Sequence, residues 1–285
     1  MISIVFPGQG SQYVGMCKNW YDKYPEAKNI FDTADKILEE PLSNIIFEGP
    51  EEELIKTYNA QPAILISSIA LLEVIRSIKK IDFNDFCNFV AGHSLGEYTA
   101  LYLSGVLDLD SVVKLVKYRG ILMSKSDKSG EGKMAAIIGL EISKIKEMLS
   151  NFNEDGVCEI ANDNSEGQVV ISGHKEMVDK FKSLAKENGA KLTVDLKVSA
   201  PFHCKLMEEA ASKIKSVLDK TTFNQFKIPI ISNVKGVPCE NSSEFNSLLS
   251  KQITMTVKWR ETILFMESRG VKKIYEIGPG NVLSG

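Results

Sequence analysis

The sequence is poor in the residues that several common chemistries require. It contains three histidines, none in a His-Glu-X-X-His arrangement, so a catalytic metal would lack ligands and no cofactor is expected. Its five cysteines, Cys17, Cys87, Cys158, Cys204 and Cys239, are odd in number, scattered and free of any Cys-X-X-Cys pair. That pattern speaks against a disulfide frame or a zinc cluster and for a reducing, cytoplasmic setting. A basic excess is also missing. The net charge is −3 and only four arginines occur, Arg76, Arg119, Arg260 and Arg269, so nucleic acid is not an expected partner. No uninterrupted apolar run of membrane length stands out, and no membrane association is expected. The opening residues, MISIVFPGQG, carry no basic n-region, so no signal or transit peptide is expected and the mature chain is expected to begin here.

What is present is a chain of 285 residues, 44% hydrophobic and 25% charged, enough for a large core and for two domains or one domain with an insertion. The most informative stretch is FCNFVAGHSLGEY at 86 to 98. Phe86, Phe89, Val90 and Ala91 read as a buried strand, and Leu95 to Leu103 as a helix. Between them lies Gly-X-Ser-X-Gly. Gly92 and Gly96 would allow unusual backbone angles and a close helix-to-strand approach, leaving Ser94 exposed at the turn with the helix N-terminus aimed at any oxyanion it creates. The bland alternative is an ordinary strand-to-helix turn.

The remaining elements follow in order. Ile2 to Phe6 form a strand that stops at Pro7-Gly8-Gln9-Gly10, a loop without phosphate-cradle spacing whose backbone N–H groups around Gln9 are either anion donors or part of a structural turn. Residues 17 to 40 read as helix, the run after Gln61-Pro62 as a long buried helix, and 110 to 125 as another. The polar segment 126 to 132 reads as a hinge. After it come strand, helix, two strands, helix and strand, the βαββαβ order of a ferredoxin-like unit inserted over 127 to 196. Further on, 205 to 218 reads as helix, 227 to 232 as strand, 259 to 268 as helix and 271 to 277 as a last strand. The expected architecture is therefore α/β. A hydrolase-like core with a largely parallel sheet and a nucleophile elbow spans 1–126 and 197–285, and a ferredoxin-like α+β subdomain spans 127–196.

One residue breaks the local pattern. Val112, Leu115, Val116, Leu122 and Met123 form an apolar helical stripe, and position 119 of that stripe is arginine. A buried guanidinium needs an anionic partner, either an internal Asp or Glu or the carboxylate of a substrate held bidentately. The serine needs a base. His93 adjoins it but should point elsewhere, and His174 opens a helix of the insertion. His203, in a loop of the main domain, is the candidate. Cys204 is a rival nucleophile that should project away from His203 and is taken as structural.

FPGQGSQ at 6 to 12, GHSLGEY at 92 to 98, Arg119 in KYRGILM, PFH at 201 to 203, SNVKG at 232 to 236 and EIGPG at 276 to 280 together resemble the malonyl-CoA:acyl carrier protein transacylase family, in the same order along the whole chain. The resemblance implies transfer of malonyl from malonyl-CoA to the phosphopantetheine thiol of holo acyl carrier protein, for fatty acid synthesis. Ser94 would carry the malonyl ester and His203 act as base and then acid. Arg119 would clamp the free carboxylate, and Gln9 and Leu95 would supply oxyanion N–H groups. The backbone carbonyl of Gln252 would orient His203 in place of an aspartate, with Gln61 and Asn162 lining the site. It also implies no cofactor and, as expected here, a monomer. Members generally carry a further helix after the Gly-Pro-Gly strand, whereas this sequence ends at Gly285. The rivals are a serine thioesterase or hydrolase, which would have no use for a carboxylate clamp, and a non-catalytic scaffold that binds acyl carrier proteins.

Overall fold

The computed structural model describes residues 1–127 and 130–285. The main sheet is parallel, with β1 (Ile2–Phe6) flanked by β2 (Cys87–Gly92) and β7 (Lys273–Glu276). Between β1 and β2 run α1 (Lys18–Lys23), α2 (Pro25–Leu38), α3 (Leu42–Glu48), α4 (Glu51–Leu54) and α5 (Thr57–Lys79). The helix expected over 17 to 40 is thus two helices. Tyr24 is held extended by the proline after it, which disfavours helical angles at the preceding residue.

Helix α5 starts a turn earlier than Gln61-Pro62 suggested, because the Lys56 carbonyl already accepts from the N–H groups of Asn59 and Ala60. It runs 23 residues and is long and apolar enough to cross a bilayer by length and composition, contrary to the expectation that no such stretch exists. Two-thirds of its apolar window is buried inside the protein, however, and Thr57, Asn59 and Gln61 are buried at its start. It is the core helix of this fold.

After β2 come α6 (Gly96–Leu103) and α7 (Leu109–Ser124), whose Asp108 cap accepts from Ser111 N–H at 2.8 Å. The next unit contains β3 (Gly132–Ile138), α8 (Ile142–Ser150), β4 (Cys158–Ser165), β5 (Gln168–His174), α9 (Lys175–Glu187) and β6 (Leu192–Asp195). Its strands form a second sheet, in the order β4-β5-β3-β6, with every neighbouring pair antiparallel. The period-2 alternation of β3 splits its residues between two cores. Ala135 and Ile137 pack with Ile145, Ile171 and Phe181 under α8 and α9, while Met134 and Ala136 join the main core on the other face. Of the expected hinge over 126 to 132, Lys128 and Ser129 lie outside the described residues. Asp127 accepts from the N–H groups of Glu131 and Gly132.

The chain then passes through α10 (Glu208–Leu218), α11 (Phe245–Gln252) and α12 (Trp259–Ser268) before β7. Three differences from the sequence reading fall here. The first turn of the helix expected from 205 is a 3-10 turn, Lys205–Met207. The strand expected over 227 to 232 is reduced to single bridges, Val90 with Ile230 and Ile231 with Pro238, because Pro229 and Pro238 cannot donate to a ladder. Helix α11 was not anticipated at all, and it carries Gln252.

Candidate active site

Strands β1 and β2 are parallel neighbours in register Phe6 to Gly92, so the two loops that leave them lie side by side at the carboxyl edge of the sheet, where an α/β protein builds its site. His93 N–H donates to the Phe6 carbonyl at 3.0 Å. The two glycines of the elbow serve close approach alone. A Cβ on Gly92 would stand 1.9 Å from the Gly96 carbonyl carbon, and one on Gly96 would stand 2.2 Å from Phe6 O. The unusual backbone angle falls on the serine itself, at φ 50°. A non-glycine residue in the left-handed region costs of order 1–3 kcal/mol and persists only where its surroundings impose it. Here the Ser94 N–H donates to Asn233 Oδ1 at 2.7 Å, and Asn233 Nδ2 donates back to Gly92 O at 2.7 Å.

His203 is likewise left-handed, at φ 58°, and buried. Its Nε2 lies 2.8 Å from Ser94 Oγ and its Nδ1 2.7 Å from the Gln252 carbonyl. A carbonyl only accepts, so Nδ1 carries the proton and Nε2 is left free to take one from the serine. Burial first, and the positive charge of Arg119 second, push the His203 pKa down to about 3. The imidazole is therefore neutral at neutral pH. His93 and His174 do not compete as bases. His93 Nε2 is 2.9 Å from Asn164 Oδ1 and its ring meets Trp259 edge-on, while His174 Nδ1 accepts from Val157 N–H. Cys204 is buried, donates to the Pro201 carbonyl, and has its thiol pushed up to about 11 by burial, so it is inert as a nucleophile at neutral pH.

Arg119, 1% exposed, projects from α7 into the same cavity. Its Nη1 donates to Gln61 Oε1 at 2.7 Å, and its Nη2 donates to Gln252 Oε1 at 2.9 Å and to Ser94 Oγ at 3.0 Å. The guanidinium also faces the Tyr98 ring at 5.4 Å. Nε has no partner, and among the described residues Arg119 makes no ion pair. Of the two partners open to it from sequence, an internal carboxylate in contact is therefore absent among the described residues. Burial lowers its pKa from the usual arginine value, with Tyr98 and Glu97 acting in the opposite sense.

The structure brings all eight sequence-derived positions together. Gln9, Gln61, Ser94, Leu95, Arg119, Asn162 and His203 line one cavity of about 90 Å³, and Gln252 closes it from behind. Gln9 is steadied by its amide Nε2, which donates to Thr57 Oγ1 at 3.2 Å. Asn162, on β4, faces both this cavity and an adjoining cleft of about 310 Å³ that runs past Gln9, His93 and Trp259 toward the surface. Two residues of the site went unread although both lie in stretches that stood out. Asn233 grips the elbow from SNVKG. Glu97, in GHSLGEY, accepts from Gln252 Nε2 at 2.6 Å, and burial raises its pKa to about 7 against the lowering effect of Gln252, Asn233 and Arg119. Sequence spacing gave no sign that Gln252 would sit beside them, since α11 was unseen.

Comparison with known proteins agrees over the whole chain. The acyl transferase domain family matches residues 4–283. The malonyl CoA-acyl carrier protein transacylase of Bacillus subtilis (strain 168) is 45% identical over 285 residues, covering 100% of this chain and 88% of its own. That of Escherichia coli (strain K12) is 42% identical over 284 residues, covering 99% of this chain and 90% of its own. Among solved structures, the acyl-carrier-protein-S-malonyltransferase from Bartonella henselae matches with a TM-score of 0.96 at 42% identity, covering 100% of this chain and 90% of that one. A holo type II PKS acyl-carrier protein in complex with its malonyl-transacylase matches with a TM-score of 0.95 at 38% identity, over 100% of this chain and 91% of the other. With its serine, histidine and arginine converging in one cavity, the chain belongs to the acyl transferase domain family and, within it, to the malonyl-CoA:acyl carrier protein transacylases.

Proposed function

We propose that the protein moves malonyl from malonyl-CoA to the phosphopantetheine thiol of holo acyl carrier protein through an ester on Ser94, supplying fatty acid synthesis. The observation that carries this reading is Arg119, a buried cation beside the nucleophile that is held by two neutral amides and makes no ion pair among the described residues. A malonyl carboxylate supplies the missing anion and accepts the planar donor fork bidentately. A hydrolase acting on plain acyl esters has no use for that charge.

The residues divide the work as follows. Ser94 Oγ attacks the thioester carbonyl while His203 Nε2 takes its proton, and the Gln252 carbonyl steadies the imidazolium through Nδ1. The oxyanion is received by the N–H groups of Gln9 and Leu95 under the positive end of α6, each donor worth roughly a hundredfold to a thousandfold in rate. The tetrahedral adduct collapses, the C–S bond breaks, and the CoA sulfur takes the proton from His203. The carrier thiol then repeats the sequence in reverse, and Ser94 is regenerated in ping-pong order. Arg119 acts twice. It aligns the carboxylate, and once paired with it no longer opposes the charge that forms on His203.

The same reading assigns the architecture to a hydrolase-like core over 1–126 and 197–285 with a ferredoxin-like subdomain over 127–196. The strand order β4-β5-β3-β6 and the separate core under α8 and α9 support that division. It extends to a cytoplasmic monomer working without a cofactor, supported by five free thiols and by a site whose side chains supply nucleophile, base and clamp. The test is intact-protein mass after brief exposure to malonyl-CoA. One malonyl adduct, lost in Ser94→Ala and discharged by holo acyl carrier protein, is expected. Release of CoA without an adduct would overturn the transferase reading in favour of a hydrolase.

A further inference from the structure

Glu97 has no part in the chemistry above, yet it sits directly beneath it. It is the second residue of α6 and 1% exposed. Its Oε2 accepts from Gln252 Nε2 at 2.6 Å and from Asn233 N–H at 3.3 Å, and its Oε1 has no partner. A buried carboxylate is costly when its oxygens are not all satisfied, and a glutamine could accept the same two bonds at lower cost. Packing therefore does not account for an acid at this position.

An acid differs from an amide in one way that matters here: ionised it only accepts, and with its proton on the unpartnered Oε1 its Oε2 still accepts. The Gln252 amide lies between the accepting Oε2 of Glu97 and Arg119, which only donates. Its NH2 group is thereby forced toward Glu97 and its oxygen toward Arg119. The same NH2 also donates to Ser94 O at 2.9 Å, and the backbone carbonyl of Gln252 holds His203 Nδ1. On the other side, Asn233 takes its N–H to Glu97 and its side-chain oxygen to the Ser94 N–H. The two residues that grip the elbow and orient the base and the clamp are thus both tied to one carboxylate.

We propose that Glu97 is a positioning residue for the transfer, fixing the facing of the Gln252 amide and, through Gln252, the alignment of Arg119 and His203. The inference rests on the transacylase reading for its substrate, and its test includes a probe that does not. Glu97→Gln keeps the volume and one acceptor but allows the paired amides to flip, so that an NH2 group can face Arg119. The expected result is a fall of about tenfold or more in the ratio of malonyl to acetyl acylation of Ser94, on the scale by which small misplacements of a reacting group cost rate. The rate at which a fluorophosphonate labels Ser94, which needs only the serine and its base, is expected to drop severalfold.

Both effects should vanish when Gln252→Ala is already present, because a residue acting through another has nothing left to lose. A residue that merely fills space would instead shift the thermal midpoint and leave the ratio and the labelling rate unmoved. Wild-type values for both in Glu97→Gln, or losses that multiply in the double variant, would overturn the proposal. If the wild-type protein accepts neither acyl group, the transacylase reading has failed, and the labelling rates in the same four proteins still decide the role of Glu97.

Discussion

The catalytic cavity and the junction where the inserted unit meets the main domain each contain an arginine, and the two are held in opposite ways. At the junction Arg260 meets Asp163 with Nε at 3.0 and 3.1 Å from the two carboxylate oxygens and Nη2 at 3.0 Å. The Asp163 side chain is only 2% exposed and that of Arg260 30%, and their hydrogen bonds raise the arginine pKa. Around them Val257 exchanges backbone bonds with Ala161 and Asp163, so the pair belongs to a seam of the fold. In the cavity Arg119 is buried more deeply and is offered only amide oxygens and a serine hydroxyl. A charge satisfied by the protein's own carboxylate is structural. One left to neutral groups beside a nucleophile is, on the proposed function, kept for an anion from outside.

Substitutions in the cavity and at the junction should have separable effects. The largest effect belongs to the base in the cavity. His203→Ala is expected to slow malonyl acylation by about a thousandfold or more, within the range of general-base contributions compounded with loss of serine activation, read as adduct formed per unit time. Next is Arg119→Ala, for which malonyl acylation should fall by about a hundredfold to ten-thousandfold while acetyl acylation is spared or improved. Its thermal midpoint should hold or rise, since an unpaired buried cation has been removed. Arg260→Ala should do the reverse. It strands buried Asp163 and is expected to destabilise the protein by about 3 kcal/mol, read by chemical denaturation, with the malonyl to acetyl ratio unchanged.

The smallest effect is in pH. His203 must be neutral to act as base, so activity is lost as pH falls through its pKa. With that pKa lowered to about 3, the acylation rate should stay level well below pH 6, where an ordinary histidine would already be protonated. The profile is best measured in Glu97→Gln, which leaves no carboxylate at position 97 to titrate near pH 7. Adding Arg119→Ala and following acetyl acylation should move the acid limb upward, because a positive charge no longer opposes protonation of His203. Adding Arg260→Ala instead should leave the limb where it is.

The same two regions differ in how far the sequence disclosed them. Every strand and helix from Gly132 to Asp195 was expected within a few residues, because β3 and β5 carry short apolar runs, α8 and α9 repeat on period 3.6, and glycines mark the turns. The return segment from 197 to 258 has little such rhythm. It supplies His203 and Asn233 from loops and Gln252 from one short helix, all in contact with the elbow at Ser94, more than a hundred residues away in sequence. One local signal was there to be read. Asn241-Ser-Ser-Glu244 has capping-box spacing, Glu244 accepts from the Asn241 N–H at 3.2 Å, and α11 follows at once.

The nucleophile and base could be picked out from the residues, a serine between two glycines and a histidine left by elimination, while the arginine on an apolar stripe showed as a misfit that only the family resemblance turned into a clamp. Of what they rest on, Gln252 came only through that resemblance, and its contact with Glu97 was not legible, since a glutamine amide and a buried glutamate become neighbours only after the chain has folded.

On the proposed function Arg119 is reserved for the substrate carboxylate beside Ser94. The most direct test is the occupancy of Ser94, by intact-protein mass, after equal short exposures of wild type and Arg119→Ala to malonyl-CoA and to acetyl-CoA. The account predicts malonyl in strong excess on the wild type and a reversal toward acetyl in the variant. An unchanged ratio, with both proteins still folded, would contradict it.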